Sequence, residues 1–121
     1  MGRLIYADSP NDAYRLEDRL LAHLELAIGA KLRLGDAFAF TIDREHVPAG
    51  IGYHVLWMHP SISLQFRYEG DRQQIPLNSA WVADLVAIAS TEGGLRLIPE
   101  PDVTTGQGIR DQGPGPRAIY G

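Results

Sequence analysis

From Asp18 to Gly35 the apolar side chains Leu20, Leu21, Leu24, Ala27, Ile28 and Leu32 recur three and four residues apart. That period places them on one face of a helix. Asp18 is positioned to cap its start, Lys31 and Arg33 to complement the dipole in its last turn, and Gly35 to stop it. A helix with one apolar face gains its stability by laying that face on another element. The remainder of the chain therefore has to supply a surface for it.

That surface reads as strands. Arg3 to Ala7 alternates weakly, and Tyr14 and Leu16 close a hairpin with it across the turn cluster Ser9-Pro10-Asn11-Asp12. Phe38, Phe40 and Ile42 share one face of a third strand. Asp43 to Gly52 is a loop. Tyr53 to His59 is apolar on both faces, Tyr53, Val55 and Trp57 on one and Leu56 and Met58 on the other, so it is expected at the centre of the sheet. Ile62, Leu64, Phe66 and Tyr68 alternate with Ser63, Gln65, Arg67 and Glu69, the pattern of a strand between core and water. Asn78 caps a second helix with Trp81, Val82, Leu85, Val86 and Ala89 on one stripe, stopped at Gly93-Gly94. Leu95 to Ile98 is a last short strand. The order β-β-α-β-β-β-α-β predicts an α+β two-layer sandwich: a mostly antiparallel sheet with two helices on one face. Trp57, Phe66, Leu24, Ile28, Trp81 and Leu85 are expected to meet in its core.

Composition bounds the rest. The 121 residues are 45% hydrophobic and 21% charged, enough for one domain with a real core. The domain is expected over 1–98. Residues 99–121 are rich in Gly and Pro and read as an extended arm. No apolar run reaches the length of a membrane span, and no signal-peptide core follows Met1. The expectation is a cytoplasmic protein with no membrane partner. Without cysteine there is no disulfide, thiol nucleophile or thiolate metal site. Eleven basic residues, ten of them Arg, face 15 acidic ones, a net charge of −4 with a pI near 5.4. The global field is therefore not that of a protein held mainly by phosphates.

No catalytic constellation is read. His54 and His59 fall on opposite faces of one strand, and His23 lies in mid-helix one turn from Arg19. His46 stands in a loop beside Asp43 and Glu45, where a weak surface metal site is conceivable. None of these amounts to the convergent ligand set a divalent ion needs. Ser9, Ser61, Ser63, Ser79 and Ser90 lie outside any Gly-x-Ser-x-Gly elbow. Gly50-Ile51-Gly52 has no helix after it, so no dinucleotide cofactor is expected. The expected catalytic, cofactor and metal residues are none.

Met1-Gly2-Arg3-Leu4-Ile5-Tyr6, Asp18-Arg19-Leu20-Leu21-Ala22-His23-Leu24, Trp57-Met58-His59-Pro60-Ser61-Ile62-Ser63-Leu64, Asn78-Ser79-Ala80-Trp81 and Gly93-Gly94-Leu95 together resemble a family of small uncharacterised actinobacterial proteins. The resemblance spans roughly residues 1–100. Members are often labelled automatically as ATP-dependent DNA ligase. A nucleotidyl ligase needs a lysine in a Lys-x-Asp-Gly setting, whereas Lys31 is followed by Leu32-Arg33-Leu34 and reads as a solvated cation at a helix end.

Two features read as binding surfaces. One is the polar strand face with Gln65 and Arg67, Arg67 being its anchor. The other is the arm, whose Ile109, Arg110, Ile119 and Tyr120 supply anchoring side chains among Gly and Pro. Twenty extended residues reach roughly 60–70 Å, far enough to cross a second subunit. The expected function is non-enzymatic: protein–protein contact, foremost self-assembly into a homo-oligomer with the arm on a neighbour. The rival is an accessory factor of nucleic-acid metabolism using Arg67, Arg72 and Arg96. Lys31 generates a direct prediction. Labelled ATP and Mg²⁺ should leave no covalent AMP on the denatured chain. Stoichiometric label that disappears in Lys31→Ala would overturn it.

Overall fold

The computed structural model describes residues 1–9, 13–47 and 52–102. Its elements run β1 (Gly2–Tyr6), β2 (Ala13–Leu16), α1 (Asp18–Arg33), β3 (Phe38–Ile42), β4 (His54–Met58), β5 (Leu64–Arg67), α2 (Ser79–Ala89) and β6 (Leu95–Arg96). Short 3-10 turns occupy Arg44–His46 and Arg72–Gln74. The α+β class and the order of helices and strands are those read from the sequence. The strands are divided between two small sheets rather than joined in one.

The first sheet has the order β2-β1-β5 and the second β4-β3-β6. All pairs are antiparallel except β3 with β6, which the crossover through α2 makes parallel. The division follows from which strands take two partners. β1 holds β2 on one side and β5 on the other, and β3 likewise holds β4 and β6. After β4, Pro60 has no N–H for a ladder, and the Ile62 N–H closes a turn on the His59 carbonyl at 2.9 Å. The chain is thereby turned from β4 towards β1. Gly2 is required there: a Cβ on it would stand 2.5 Å from the Arg67 carbonyl oxygen and 2.7 Å from Asp18 Oδ1. Gly94, at φ +78°, brings the chain into β6 with its Cα face 2.5 Å, at the Cβ position, from the Ala39 carbonyl.

The inner faces of both sheets meet the two helices. Leu4, Tyr14 and Leu16 come from the first sheet, Phe38, Phe40, Ile42, Leu56 and Met58 from the second. Leu21, Leu24, Ala27 and Ile28 of α1 and Trp81, Leu85 and Ala89 of α2 fill the space between them. Four of the six side chains expected in the core, Leu24, Ile28, Trp81 and Leu85, are buried, and Phe66 packs half-buried against them. Trp57 does not join them: it is 66% exposed. The physical reason is the place of β4. A strand apolar on both faces reads as central, but β4 is the edge of its sheet, and only its Leu56 and Met58 row meets the helices.

The two sheets are fastened at β4 by tyrosines from the first. The Tyr6 hydroxyl donates to the Trp57 carbonyl at 2.6 Å, and the Tyr14 hydroxyl is hydrogen-bonded to His54 Nδ1 at 2.7 Å. At the far end of β1, Ala7 and Asp8 both have positive φ, 54° and 59°, an unfavourable region for side chains with a Cβ. The turn is held by the Ala7 N–H on the Ser63 carbonyl and the Ser63 hydroxyl on Asp8, each 2.8 Å.

Helix starts divide in the same way between expectation and finding. Asn78 caps α2, its side-chain oxygen accepting from the Ala80 and Trp81 N–H groups. Asp18 is not the cap of α1. Glu17 holds that place without a side-chain bond, and Asp18 instead accepts from the Gly70 and Glu69 N–H groups beyond β5. α2 stops at Ser90, ahead of Gly93-Gly94, which serve the turn into β6.

The packing sets a contrast. Leu24→Ala should lower unfolding free energy by about 2–5 kcal/mol, whereas Trp57→Ala should change it by less than about 1 kcal/mol. Urea titration of both variants distinguishes this arrangement from one with Trp57 in the core. Equal losses would mean that the facing of β4 is wrong.

Candidate functional site

The histidines are engaged locally and apart from one another. His23, fully buried on α1, uses both ring nitrogens: Nδ1–H donates to the Arg19 carbonyl at 2.7 Å and Nε2 accepts from the Asn78 N–H at 2.8 Å. This pattern belongs to the neutral ring, because a proton on Nε2 would face an N–H. Trp81 packs on the ring with centroids 4.6 Å apart. Burial pushes the pKa of His23 down. His54 is tied to Tyr14. His59 Nδ1 accepts from Ser61. His46 donates to the Arg15 carbonyl at 3.2 Å and lies 3.4 Å from Glu45. Among the described residues no three of His, Asp and Glu converge on a metal position.

His23 is one post of a polar clasp. Arg19 grips Glu100 with two bonds, Nε to Oε1 at 2.7 Å and Nη2 to Oε2 at 2.6 Å, and donates a third to the Pro76 carbonyl. The Asn78 amide donates to Glu100 and to the Pro101 carbonyl. These bonds, the Arg19 pair first, hold the Glu100 carboxyl at a pKa of about 2. The residues that lead into the arm are thus fixed to both helix starts. The arm residues singled out above, Ile109, Arg110, Ile119 and Tyr120, lie outside the described residues, as does the rest of 103–121.

Lys31 is less solvated than its place at a helix end suggests. Its ammonium donates to the Ser90 hydroxyl at 2.9 Å and pairs with Asp36 at 3.1 Å, with its side chain 12% exposed. It borders an open groove of about 330 Å³ with Asp36, Phe38, Trp57, Thr91 and Gly94. The groove joins the outer face of the second sheet, where Tyr53 is 68%, Val55 51% and Trp57 66% exposed. Cross-strand from Trp57 and Val55 stand Ala39 and Thr41, whose small side chains leave the larger pair standing proud. Sequence reasoning missed this surface because it assigned β4 to the centre.

Gln65 and Arg67 lie exposed on the outer face of the first sheet, as their alternation implies. Pairing brings two further arginines to them. Arg3 stands directly opposite Arg15 on β2 and Arg67 on β5. Arg72 is elsewhere, bound to Glu25 at 3.3 Å and lying over the Tyr68 ring. Burial and the bond to Glu25 push the Tyr68 hydroxyl well up. Arg96 is on the second sheet.

Among the described residues, no helix is long and apolar enough to cross a membrane. Compared with known proteins, residues 1–100 match a family model described as "Domain of unknown function (DUF7882)". No curated protein and no solved structure matches the chain.

The clasp predicts a two-stage acid response. The unfolded histidine takes a proton near pH 6.5, and the folded one resists it, so stability is full above that pH and falls below it. The slope approaches 1.4 kcal/mol per pH unit at most, about one proton's worth. Glu100 and Asp18, both held low, contribute stability that is full above about pH 4.5 and lost as pH falls towards 2. Urea unfolding of the parent should weaken from pH 7 to 5. His23→Gln, whose amide oxygen can accept from Asn78, should remove that slope and keep the loss below pH 4.5. An unchanged slope in the variant would refute the assignment to His23.

Proposed function

For a chain that belongs to this family of unknown function, we propose a non-enzymatic role as a protein–protein interaction module that assembles with itself. The observation that carries the reading is the pair Val55 and Trp57 on one face of an edge strand, with Tyr53 exposed just before it. Large exposed apolar side chains gathered on one strand favour association, and Trp and Tyr are the side chains that most often anchor an interface. The occupant is a second copy. Two such faces can meet about a two-fold axis, so that each Trp57 packs on the other copy's strand. The sheet's ladder edge is a poorer contact, since Tyr6 already occupies the Trp57 carbonyl.

The arm extends this contact. Of its first residues, Glu100 and Pro101 are fixed to Arg19 and Asn78, and beyond them it carries Ile109, Arg110, Ile119 and Tyr120 among Gly and Pro. Ordering it costs about 1–2 kcal/mol per residue in backbone entropy, so its contact has to be broad or repeated by symmetry. The domain proper is 1–98 and the arm 99–121. The setting is the cytoplasm. A link to DNA metabolism, as the ligase label of similar actinobacterial proteins implies, takes no support from Lys31, whose ammonium is bound to Ser90 and Asp36.

Light-scattering mass across a concentration series tests the reading. The full chain should exceed the 13.3 kDa of one copy. Trp57→Glu, which places a charge in the apolar row, and a chain ending at Asp102 should each shift the mass towards one copy. A full chain that stays at 13.3 kDa at every concentration removes the proposal.

A further inference from the structure

We propose that the outer face of the first sheet is a sequence-independent binding site for the phosphate backbone of a nucleic acid, built from Arg15, Arg3 and Arg67. The three residues occupy β2, β1 and β5 at one level of the sheet: Arg3 is the cross-strand partner of both others. Neighbouring strands are about 4.8 Å apart, so the three guanidiniums issue from a line about 10 Å long. All three side chains are exposed.

Like charges placed directly opposite on adjacent strands destabilise a sheet. Such a row is ordinarily relieved by carboxylates. Here, among the described residues, none of the three guanidiniums makes a hydrogen bond or an ion pair. Of the two carboxylates two residues along this face, Glu69 feels Arg3 but is taken by the amino group of Met1, and Glu17 makes no ion pair with a described residue. Arg19 and Arg72, by contrast, are each bound to a carboxylate. The row is a local concentration of unspent donors, each a planar fork that fits a phosphate with two bonds.

The rest of the face decides between ligand classes. On it Gln65 is exposed, its cross-strand partner Ile5 is buried, and Glu17 and Glu69 are exposed two residues beyond Arg15 and Arg67; the exposed apolar side chains Val55 and Trp57 belong to the other sheet. A protein interface is centred on buried aromatic or aliphatic anchors, which this face does not offer. Among the described residues it has no aromatic side chain on which a base can stack either, so the contact is with the backbone and carries no sequence readout. The net charge of −4 does not forbid this. At physiological salt charges more than about 8 Å away are largely screened; within that range the three guanidiniums and the Met1 amino group outnumber Glu17 and Glu69, about 7 Å along the chain from the row. The surface is separate from the self-assembly face and its test is independent of it.

The test uses the full chain and a fluorescein-labelled oligonucleotide of about 20 nucleotides, single-stranded and duplex, in two unrelated sequences. Anisotropy should show binding that is equal for the two sequences and weakens between about 50 and 200 mM salt. Arg3→Gln and Arg67→Gln should each lower affinity about tenfold, the usual effect of losing one charged hydrogen-bonded contact, and each should reduce the salt slope by about one. Lysine at either position should restore most of the affinity. Arg33→Gln, exposed at the end of α1, should bind as the parent does. The melting temperatures of the two row variants should equal or exceed that of the parent, since each relieves a like-charge pair. This excludes unfolding as the cause of lost binding. Absence of binding at low salt, affinity unchanged in the row variants, or a polyglutamate peptide that binds the row more tightly than the oligonucleotide would each overturn the proposal.

Discussion

The bond from the Asn78 N–H to His23 Nε2 joins the parts of this fold that sequence distance keeps apart. It crosses from the start of α2 to the middle of α1 inside the core. The other end of the ring holds the Arg19 carbonyl, and the Asn78 side chain simultaneously caps α2 and takes hold of Glu100 and Pro101. Two helices and the final segment are therefore oriented by one asparagine and one neutral histidine. Buried polar groups of this kind are costly when unpaired and specifying when fully paired. Every nitrogen of the His23 ring is used, and Trp81 covers its face. The surrounding apolar residues, with Trp81, Leu85 and Ala89 as the buried stripe of α2, provide most of the driving force. The hydrogen bonds fix the start of α2 against the middle of α1.

With the helices so placed, each sheet has one face committed to the core and presents exposed side chains on the other, although Ile5 on the outer face of the first sheet is buried. The committed faces form a single core. The free faces differ in chemistry: the second sheet presents Tyr53, Val55 and Trp57, the first presents Arg15, Arg3 and Arg67. Splitting six strands into two sheets is what separates these two surfaces. The tyrosines that bridge them, Tyr6 and Tyr14, rise from the inner face of the first sheet to meet β4. A contact on one outer face thus leaves the other available.

Local chemistry was readable wherever it depends on neighbours in the chain. The α1 stripe, the Asn78 cap, the positive φ of Gly35 and the inward rows of β3 and β5 follow from spacing and from side-chain geometry within a few residues. Asp18 shows the limit. Its position before an apolar stripe is that of a cap, yet Gly70 and Glu69 present two N–H groups that it satisfies instead. Lys31 shows the same limit, as the end of α2 brings Ser90 within 2.9 Å of it. The arm residues 103–121 remain a matter of composition alone.

Taken by itself, the amino-acid sequence determined the α+β class, the order of the elements, the inner faces of the helices and the exposure of Gln65 and Arg67. These depend on periods of 2 and 3.6, which are properties of a single segment. Only the tertiary structure decided that β5 pairs with β1, that β4 is an edge with Trp57 outward, and that Arg3 and Arg15 join Arg67 in one row. A period of 2 states which residues share a face. It does not state which strand lies alongside or which layer covers that face, because those choices are made by contacts between residues far apart in the chain.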